Sequence, residues 1–271
     1  MNIQQTLSSA TAKHYFHPEQ PFFQKRMRYH QRCTINSTTI SDFYLIEFQQ
    51  TDSPIWVIPD GCIDILFECN PNNPNARICG STLGTHDVPM LANTTYFGVR
   101  FFPGVMPSFI DASASSILNH SLDFKSLVVD GENIVEHIVL TTEIELKISI
   151  FLNYFSNKLN RKTSSTTEFI LYLILHHPHG FKIKELEKLT GYCSRHIQRT
   201  FKHDIGMSIK SLACIIRFQY AVHALNHPKQ PSLVALTYEL GYNDQAHFYK
   251  EFKRFSNMSP THFLKYLDSY H

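Results

Sequence analysis

The sequence predicts an α+β chain of two domains: a β-rich barrel or sandwich with a helical hairpin over residues 1–165, and an all-α domain of seven helices over residues 166–271. Three observations support this assignment. Aromatic and β-branched runs separated by turn-forming residues fill roughly the first 110 positions. From about Pro107 onward, the apolar residues recur at helical spacing. The last third of the chain carries one motif twice, and each copy is typical of a helix-turn-helix unit.

Four segments of the N-terminal domain have the composition of β-strands. They are rich in Ile, Val, Phe and Tyr and cover residues 44–48, 55–58, 63–67 and 96–102. Clusters of Pro, Gly, Asp and Asn separate them, as expected of turns. Strands this short can bury their apolar faces most simply in a small antiparallel barrel or sandwich.

Residues 143–160 carry a single apolar stripe that predicts a helix. The stripe has the spacing i, i+4, i+7, i+11 and i+15, and it consists of Ile144, Ile148, Phe151, Phe155 and Leu159. Together with the apolar positions around 134–138, it predicts a helical hairpin. This hairpin either packs on the β-rich core or forms the seam of a dimer. The short polar segment 161–165 is predicted to be the linker between the domains.

The duplicated motif lies in the C-terminal domain, with the two copies about fifty residues apart. Counting from Cys193 and from Asp244, apolar residues stand at +4 and +8. Gly206 and Asn257, residue types that tolerate the left-handed conformation, stand at +13, and Met-Ser follows in both copies. A short helix, a turn and a second helix with one buried face account for each copy. The C-terminal helices are predicted at 166–177, 183–190, 194–203, 208–226, 232–240, 244–256 and 260–268.

The second helix of each copy is predicted to read DNA. Because positions +4 and +8 are buried, positions +1, +2, +5 and +6 face away from the core. Arg can bind guanine with two hydrogen bonds, Gln can bind adenine, and Ala can contact the methyl group of thymine. A solvated surface is the alternative for one such helix, but its occurrence on two duplicated frames favours base contacts. The predicted base-contacting residues are Ser194, Arg195, Gln198, Arg199, Gln245, Ala246, Tyr249 and Lys250.

The charge distribution agrees with a nucleic-acid partner for the C-terminal domain. From residue 166 onward, 13 Lys and Arg face 8 Asp and Glu, whereas residues 1–165 carry 12 basic and 15 acidic residues. The local balances are therefore +5 and −3, although the chain as a whole is only +2. Four basic side chains are predicted to contact phosphates or to be ordinary surface charges: Lys202, Arg217, Lys253 and Arg254.

Over about residues 181–266 the chain resembles the AraC/XylS family of bacterial transcription regulators. The positions that match the family spacing are Leu186, Gly191, Gln198, Arg199, Phe201, Gly206, Arg217, Ala221, Leu225, Gly241, Tyr242, His247, Phe248, Phe252, Lys253, Arg254, Ser259 and Pro260. The resemblance implies two recognition helices in successive major grooves, joined by a rigid central helix. It also implies double-stranded DNA and RNA polymerase as partners, promoter activation, and a cytoplasmic, nucleoid-associated protein.

Four residues depart from the pattern of that family. Glu187 and Thr237 stand at helix positions where the family places a small Ala close to the partner helix. Cys193 occupies a capping position usually held by Ser, and it is a poorer N-cap. Asn257 replaces the common Gly, and Asn also adopts the left-handed conformation. We therefore expect the helix-turn-helix units to be preserved and their packing to be altered.

The N-terminal domain resembles the cupin-like sensor domains of many members of that family. Residues 59–64 and 98–104 carry this second resemblance. A homodimer and a small-molecule effector are the expected partners. Arg100 lies within a predicted strand, so it needs a counter-charge from a protein carboxylate or from an anionic ligand. Trp56, Tyr44 and Phe67 are predicted either to line a ligand pocket near Arg100 or to fill the β-rich core.

The sequence predicts no catalytic residues, no metal site and no cofactor. The cysteines show no regular spacing, so a disulfide framework or a zinc finger is not expected. Cys62, Cys69, Cys79 and His86 are interpreted as structural residues, and Asp60 as a turn cap. No signal peptide or membrane span is expected. Two alternatives stay open: a cupin-like enzyme fused to a DNA-binding tail, and a regulator controlled by a protein partner without a small ligand.

Overall fold

The computed structural model describes residues 17–24, 27–32, 39–48, 55–177, 179–227 and 231–269. They form two compact units. One unit consists of Gln20–Lys162, and the other combines Thr163–His271 with the described residues of Met1–Glu19. The assignment of Glu19 to the C-terminal unit was not anticipated from the sequence.

The N-terminal unit is built on antiparallel strands. Six of them form one sheet in the order β1-β2-β7-β4-β5-β8, and β3 pairs with β6 in a second, smaller sheet. The strands are β1 (Met27–Arg32), β2 (Ile40–Phe48), β3 (Ile55–Val57), β4 (Asp64–Glu68), β5 (Asn75–Cys79), β6 (His86–Val88), β7 (Thr94–Phe101) and β8 (Ser121–Asp123). Within the described residues the hydrogen-bonded ladder is open, so the arrangement is a sandwich of two sheets and not a closed barrel.

Alternation along the central strands gives the large sheet two apolar faces. In β4, Ile65 and Phe67 belong to one buried cluster and Leu66 to the other. The helices cover the first face, whereas β3 contributes Ile55 to the second cluster. Because side chains alternate with a period of two, strands buried on both faces carry continuous apolar runs, as the sequence shows here.

Five helices complete this unit, and the last two form the predicted hairpin. They are α1 (Pro21–Gln24), α2 (Ala114–Ile117), α3 (Phe124–Leu127), α4 (Gly131–Leu140) and α5 (Ile144–Phe155). Phe151 and Phe155 of α5 are buried against the sheet, together with Ile138 of α4. The apolar stripe therefore packs on the core of its own unit. Leu140 and Leu146 are 59% and 52% exposed.

The C-terminal unit contains the seven predicted helices. They are α6 (Ser165–His176), α7 (Ile183–Thr190), α8 (Ser194–Ile205), α9 (Ile209–Asn226), α10 (Leu233–Glu239), α11 (Gln245–Ser256) and α12 (Pro260–Ser269). The left-handed turns at the ends of α8 and α11 are confirmed, since φ is +85° at Gly206 and +59° at Asn257. These residues end each helix because the left-handed conformation costs them little.

Helix α9 lies at the centre of the C-terminal unit. Nine of its residues are buried, and it contacts α6, α8, α11 and α12. Such burial around most of a helix is typical of the core helix of a domain. No single helix in the described part of the chain is long and apolar enough to cross a membrane, and only α8 and α9, which are bent by 62° at their junction, pass that criterion as a pair.

Candidate nucleic-acid interface

The first helix-turn-helix unit consists of α7, its turn and α8. Ile197, Phe201 and Ile205 of α8 are buried and hold the helix on the core. The opposite side carries the predicted base-contacting residues: Arg195, Gln198 and Arg199 are exposed, and Ser194 is half-buried. Lys202 is exposed one turn further along. The predicted polar ridge therefore exists on α8, with two guanidinium groups and an amide available to a partner.

The N-terminus of α8 is capped from the preceding helix. The side chain of Cys193 makes no capping hydrogen bond. Instead, the backbone N–H of Ser194 donates to Oε1 of Glu187 on α7 at 2.6 Å. A carboxylate at this position also interacts favourably with the helix dipole. The two departures from the family pattern thus compensate each other, because Glu187 supplies the acceptor that Cys193 lacks.

The second unit consists of α10, its turn and α11. Here the N-cap is conventional: Oδ1 of Asp244 accepts from the backbone N–H of His247 at 2.7 Å. Phe248, Phe252 and Phe255 are buried. The predicted base-contacting residues Gln245, Ala246 and Lys250 are exposed, whereas Tyr249 is half-buried and its hydroxyl lies 3.2 Å from Oγ1 of Thr261. The ridge on α11 is therefore less charged than the ridge on α8.

Thr237 fits its buried position in α10. Its side chain is 1% exposed, and its hydroxyl donates to the backbone oxygen of Leu233 at 2.7 Å. Because the hydroxyl is satisfied within its own helix, the larger side chain adds no unpaired polar group to the core.

Arg217 is engaged inside the domain. Its guanidinium donates to both carboxylate oxygens of Glu251, with Nη2 at 2.7 and 2.9 Å and Nε at 3.0 Å from Oε1. It also lies over the ring of Tyr242, 4.2 Å from the centroid. The hydroxyl of Tyr242 donates to Oε1 of Glu251 at 2.7 Å. Burial, together with the neighbouring carboxylate, raises the pKa of Tyr242 far above its ordinary value. This network joins α9 to α11, so the structure gives Arg217 a positioning role where the sequence suggested a phosphate contact.

The other candidate phosphate-contacting residues are accessible. Lys202, Lys253 and Arg254 are exposed near the C-terminal ends of α8 and α11. The guanidinium carbon of Arg254 lies 5.2 Å from the ring centroid of Phe255, which supports its stem while leaving the charge in solvent.

In the N-terminal unit, Arg100 finds its counter-charges within the protein. Its guanidinium forms two short contacts with Asp64, at 3.0 and 3.1 Å, and lies 3.6 Å from Asp60. Burial alone would lower the pKa of Arg100, but the two carboxylates raise it well above its usual value. Asp60 also accepts from the backbone N–H of Cys62 at 2.9 Å, which confirms its role as a turn cap. An anionic ligand is therefore not required to neutralise Arg100.

A cavity of about 250 Å³ lies beside this ion cluster, between the two sheets of the unit. Its lining includes Arg100, Asp64, Tyr44 and Thr82, and the hydroxyl of Thr82 is buried with no hydrogen-bond partner among the described residues. Tyr44 can lie here because its opposite residue is Gly98, where a Cβ atom would come within 2.0 Å of the Tyr44 ring. Tyr44 and Arg100 therefore both line this cavity.

Trp56 and Phe67 lie apart from this cavity. Phe67 is fully buried in the cluster beneath the helices, where it stacks on Phe97. Trp56 contacts Phe22 edge to face and is absent from the lining. Because Phe67 neighbours Leu66 on the same strand, it points to the opposite face of the sheet from Leu66, which does line the cavity.

Three important residues were not predicted from the sequence. Glu187 caps α8 across the turn, Glu251 pairs with Arg217, and Asp64 pairs with Arg100. Only Glu187 left a signal, since it coincided with a weak cap at Cys193. The other two pairs join residues 34 and 36 positions apart.

Two protein-family models match the chain, one in its C-terminal region and one in its N-terminal region. A model described as a helix-turn-helix domain matches residues 186–266, which span both helix-turn-helix units. A model described as a domain of unknown function matches residues 37–123. A curated relative, an uncharacterized HTH-type transcriptional regulator from Haemophilus influenzae, is 33% identical over 96 residues. Over residues 186–266, the match to a helix-turn-helix domain agrees with the resemblance to the AraC/XylS family.

The similarities to individual proteins are partial. The match to the Haemophilus relative covers 35% of this chain and 32% of that protein, so the chain spans about a third of its length. A probable AraC family transcriptional regulator from Rhodopseudomonas palustris is 24% identical, covering 38% of this chain and 98% of that one, with a TM-score of 0.35. ToxT from Vibrio cholerae is 13% identical, covering 88% and 96% respectively, with a TM-score of 0.43.

The capping contact at the start of α8 can be tested by a double-mutant cycle. We expect Glu187→Ala to lower the free energy of unfolding by about 1 kcal/mol, because the first turn of α8 loses its acceptor. Cys193→Ser should restore most of that loss in the Glu187→Ala background and add little to the wild type. Urea denaturation measures both effects, with the exposed Lys188→Ala as a control. Equal gains from Cys193→Ser in the two backgrounds would contradict the compensation.

The role of Arg217 can be separated from a phosphate contact. We expect Arg217→Met to cost about 3 kcal/mol of folding stability, because Glu251 is left poorly solvated and unpaired. Combining it with Glu251→Met should recover much of the loss. The measurement is urea denaturation of the two variants, together with the slope of log K against log salt for DNA binding by the double variant. Wild-type stability of Arg217→Met, with a slope smaller by about one, would indicate a phosphate contact instead.

Proposed function

We propose that the protein is a sequence-specific, DNA-binding regulator of transcription. The observation that carries this proposal is the duplicated frame: α8 and α11 both bury the +4 and +8 residues and expose the residues at +2 and +6, which are Arg195 and Arg199 in α8 and Ala246 and Lys250 in α11. A surface that only contacts solvent would not need two helices that share the same end residues and the same buried face. The match of residues 186–266 to a helix-turn-helix domain and the resemblance to the AraC/XylS family support the same function.

The ridge on α8 has the chemistry for direct base readout. Arg195 and Arg199 present guanidinium groups suited to two hydrogen bonds with guanine, and Gln198 presents an amide suited to adenine. Unlike Arg217, these two arginines have exposed side chains. We assign base discrimination chiefly to this helix.

The ridge on α11 has fewer hydrogen-bonding groups. Ala246 is exposed and can contact a thymine methyl group, whereas Tyr249 is half-buried beside Thr261. Lys250, Lys253 and Arg254 carry exposed positive charges that suit the phosphate backbone. We assign this helix a larger share of backbone and shape contacts.

The proposal also covers how the protein assembles, where it acts and how it affects transcription. Activation through RNA polymerase follows from the family, and a cytoplasmic, nucleoid-associated location follows from binding to chromosomal DNA. Homodimerisation through the N-terminal unit is supported by the exposed leucines of the hairpin, Leu140 and Leu146.

The competing function, an enzyme fused to a DNA-binding tail, needs free acid–base groups beside the cavity. Asp60 and Asp64 are both engaged with Arg100, so such an enzyme would have to use other groups of the lining, such as His86 and His120.

Base readout can be tested by comparing cognate with random DNA. We expect Arg195→Ala or Arg199→Ala to weaken specific binding by about 1–3 kcal/mol relative to non-specific binding, because a base contact is lost. Lys253→Ala should weaken specific and non-specific binding equally, and it should reduce the slope of log K against log salt by about one. Fluorescence anisotropy over a range of salt concentrations measures both quantities, and Lys265→Ala on α12 is the control. Equal losses on cognate and random DNA for the two arginines would contradict the assignment.

We propose further that a small-molecule effector occupies the cavity of the N-terminal unit. Its volume suits a small metabolite, and its lining mixes apolar walls, including Val57 and Leu66, with polar groups. The buried hydroxyl of Thr82 has no partner in the described structure, so a ligand could supply one. Because Arg100 is already neutralised, a neutral polar molecule fits this site as well as an anion does.

A thermal-shift screen of small neutral and anionic metabolites tests the cavity. A ligand at about 100 times its Kd should stabilise the native chain by about 2.7 kcal/mol. Val57→Phe, which adds a ring to the lining, should abolish the shift, whereas Leu91→Phe at an exposed position outside the lining should preserve it. A shift that survives Val57→Phe unchanged would place the ligand elsewhere.

A further inference from the structure

A second cluster of ionisable groups lies in the C-terminal unit, away from both recognition ridges. It is formed by Glu19 and the last two turns of α9. Oε1 of Glu19 lies 2.6 Å from Nδ1 of His223, and Oε2 accepts from the amide of Asn226 at 2.7 Å. The His223 and His227 rings lie 4.0 Å apart between centroids. The proposed DNA-binding function uses none of these side chains.

The spacing of the residues on α9 explains why they meet Glu19. Gln219, His223, Asn226 and His227 follow i, i+4, i+7 and i+8, which is one stripe along a helix. The backbone N–H of Glu19 donates to Oε1 of the buried Gln219 at 2.7 Å, so its main chain is fixed at the start of this stripe. Its side chain then runs along the stripe toward the two histidines.

The burial of Glu19 demands a compensating charge. The residue is 3% exposed, and hydrogen bonds from His223 and Asn226 outweigh the effect of burial and lower the pKa of its carboxyl group. A buried carboxylate is normally paired with a cation or bound to a metal ion. Within the described residues, His223 and His227 are among the ionisable groups that face this carboxylate. A divalent cation bound between the three side chains would place a further positive charge beside it.

The donor atoms are arranged as metal ligands. One atom each from Glu19, His223 and His227 all lie within 4.8 Å of one another. Nδ1 of His227 lies 2.8 Å from the backbone oxygen of His223, which leaves Nε2 of His227 as its available ligand atom. A histidine whose second nitrogen is bonded to a backbone carbonyl is the usual arrangement around protein-bound metals. His227 is exposed, so its ring can move toward the other two ligands.

We propose that Glu19, His223 and His227 form a binding site for a divalent transition metal ion of the Zn²⁺ class. Two imidazole nitrogens and one carboxylate oxygen suit Zn²⁺, Ni²⁺ or Cu²⁺ better than the hard cations Mg²⁺ and Ca²⁺. Three protein ligands leave one coordination position for water or another donor. A bound metal ion would link Glu19 to α9, the helix that contacts both helix-turn-helix units.

Co²⁺ binding tests the site independently of DNA. The full chain, freed of metal with a chelator, is titrated with Co²⁺, whose visible absorption reports tetrahedral nitrogen and oxygen ligands. We expect each of Glu19→Gln, His223→Ala and His227→Ala to weaken Co²⁺ binding by about tenfold or more, because even loss of an outer-shell partner has that effect. His203→Ala, which removes an exposed histidine of α8, is the matched control and should bind as the wild type does.

The outcomes are separable. Full affinity in any one of the three ligand variants overturns the site, as does an equal loss in His203→Ala, which would indicate scattered surface histidines. His227→Ala also guards against misfolding, because this exposed residue lies at the very end of α9. Far-ultraviolet circular dichroism of the metal-free variants shows that each is folded. If Co²⁺ does not bind to the wild type, the cluster is a hydrogen-bonded ion pair, and the metal proposal is wrong even if DNA binding is intact.

Discussion

The burial of helix α9 is the constraint on which the DNA-binding unit depends. Its buried side chains contact helices of both helix-turn-helix units, so neither recognition helix can shift without disturbing this core. Cores are close-packed and resist such shifts. The apolar stripe of α9 fixes where α8 and α11 lie, while Arg217, Glu251 and Tyr242 add a directional link to α11. A buried, doubly hydrogen-bonded ion pair tolerates far fewer orientations than an apolar contact does.

The local architecture of the C-terminal domain was predictable because it depends on local rules. The repeated spacing of apolar residues predicted the faces of α8 and α11, and the residues at +13 predicted where those helices end. The helices are confirmed, and so are the left-handed turns. In the N-terminal unit, composition predicted four strand segments, which overlap β2, β3, β4 and β7, but it predicted neither β1, β5, β6 and β8 nor the order of the strands in the sheet. That order pairs β7 with both β2 and β4, and composition carries no information on partners.

The polar contacts were harder to predict because each depends on a partner far along the chain. Arg100 was expected to need a counter-charge, yet only the pairing of β4 with β7 shows that Asp64 lies directly opposite it. Arg217 fitted a basic surface residue equally well, until the fold placed Glu251 beside it. For Glu187 and Cys193, the sequence suggested unfavourable residues and the structure shows a favourable contact. Each appeared unfavourable by itself, and the contact between Glu187 and the first N–H of α8 explains both. A residue that departs from a family pattern is therefore best judged together with its nearest unusual neighbour.

The buried charges of this protein differ in how they are compensated, and that difference bears on regulation. Arg100 and Arg217 are each held by carboxylates of the protein itself. Glu19 faces histidines instead. In the proposed metal site, a divalent cation, whose concentration varies inside cells, adds to this compensation. Because any species that binds only the native arrangement stabilises it, the contact between Glu19 and α9 strengthens when that species is present. Of these three charges, Glu19 is therefore the one through which solution conditions can act on the helix that positions both recognition surfaces.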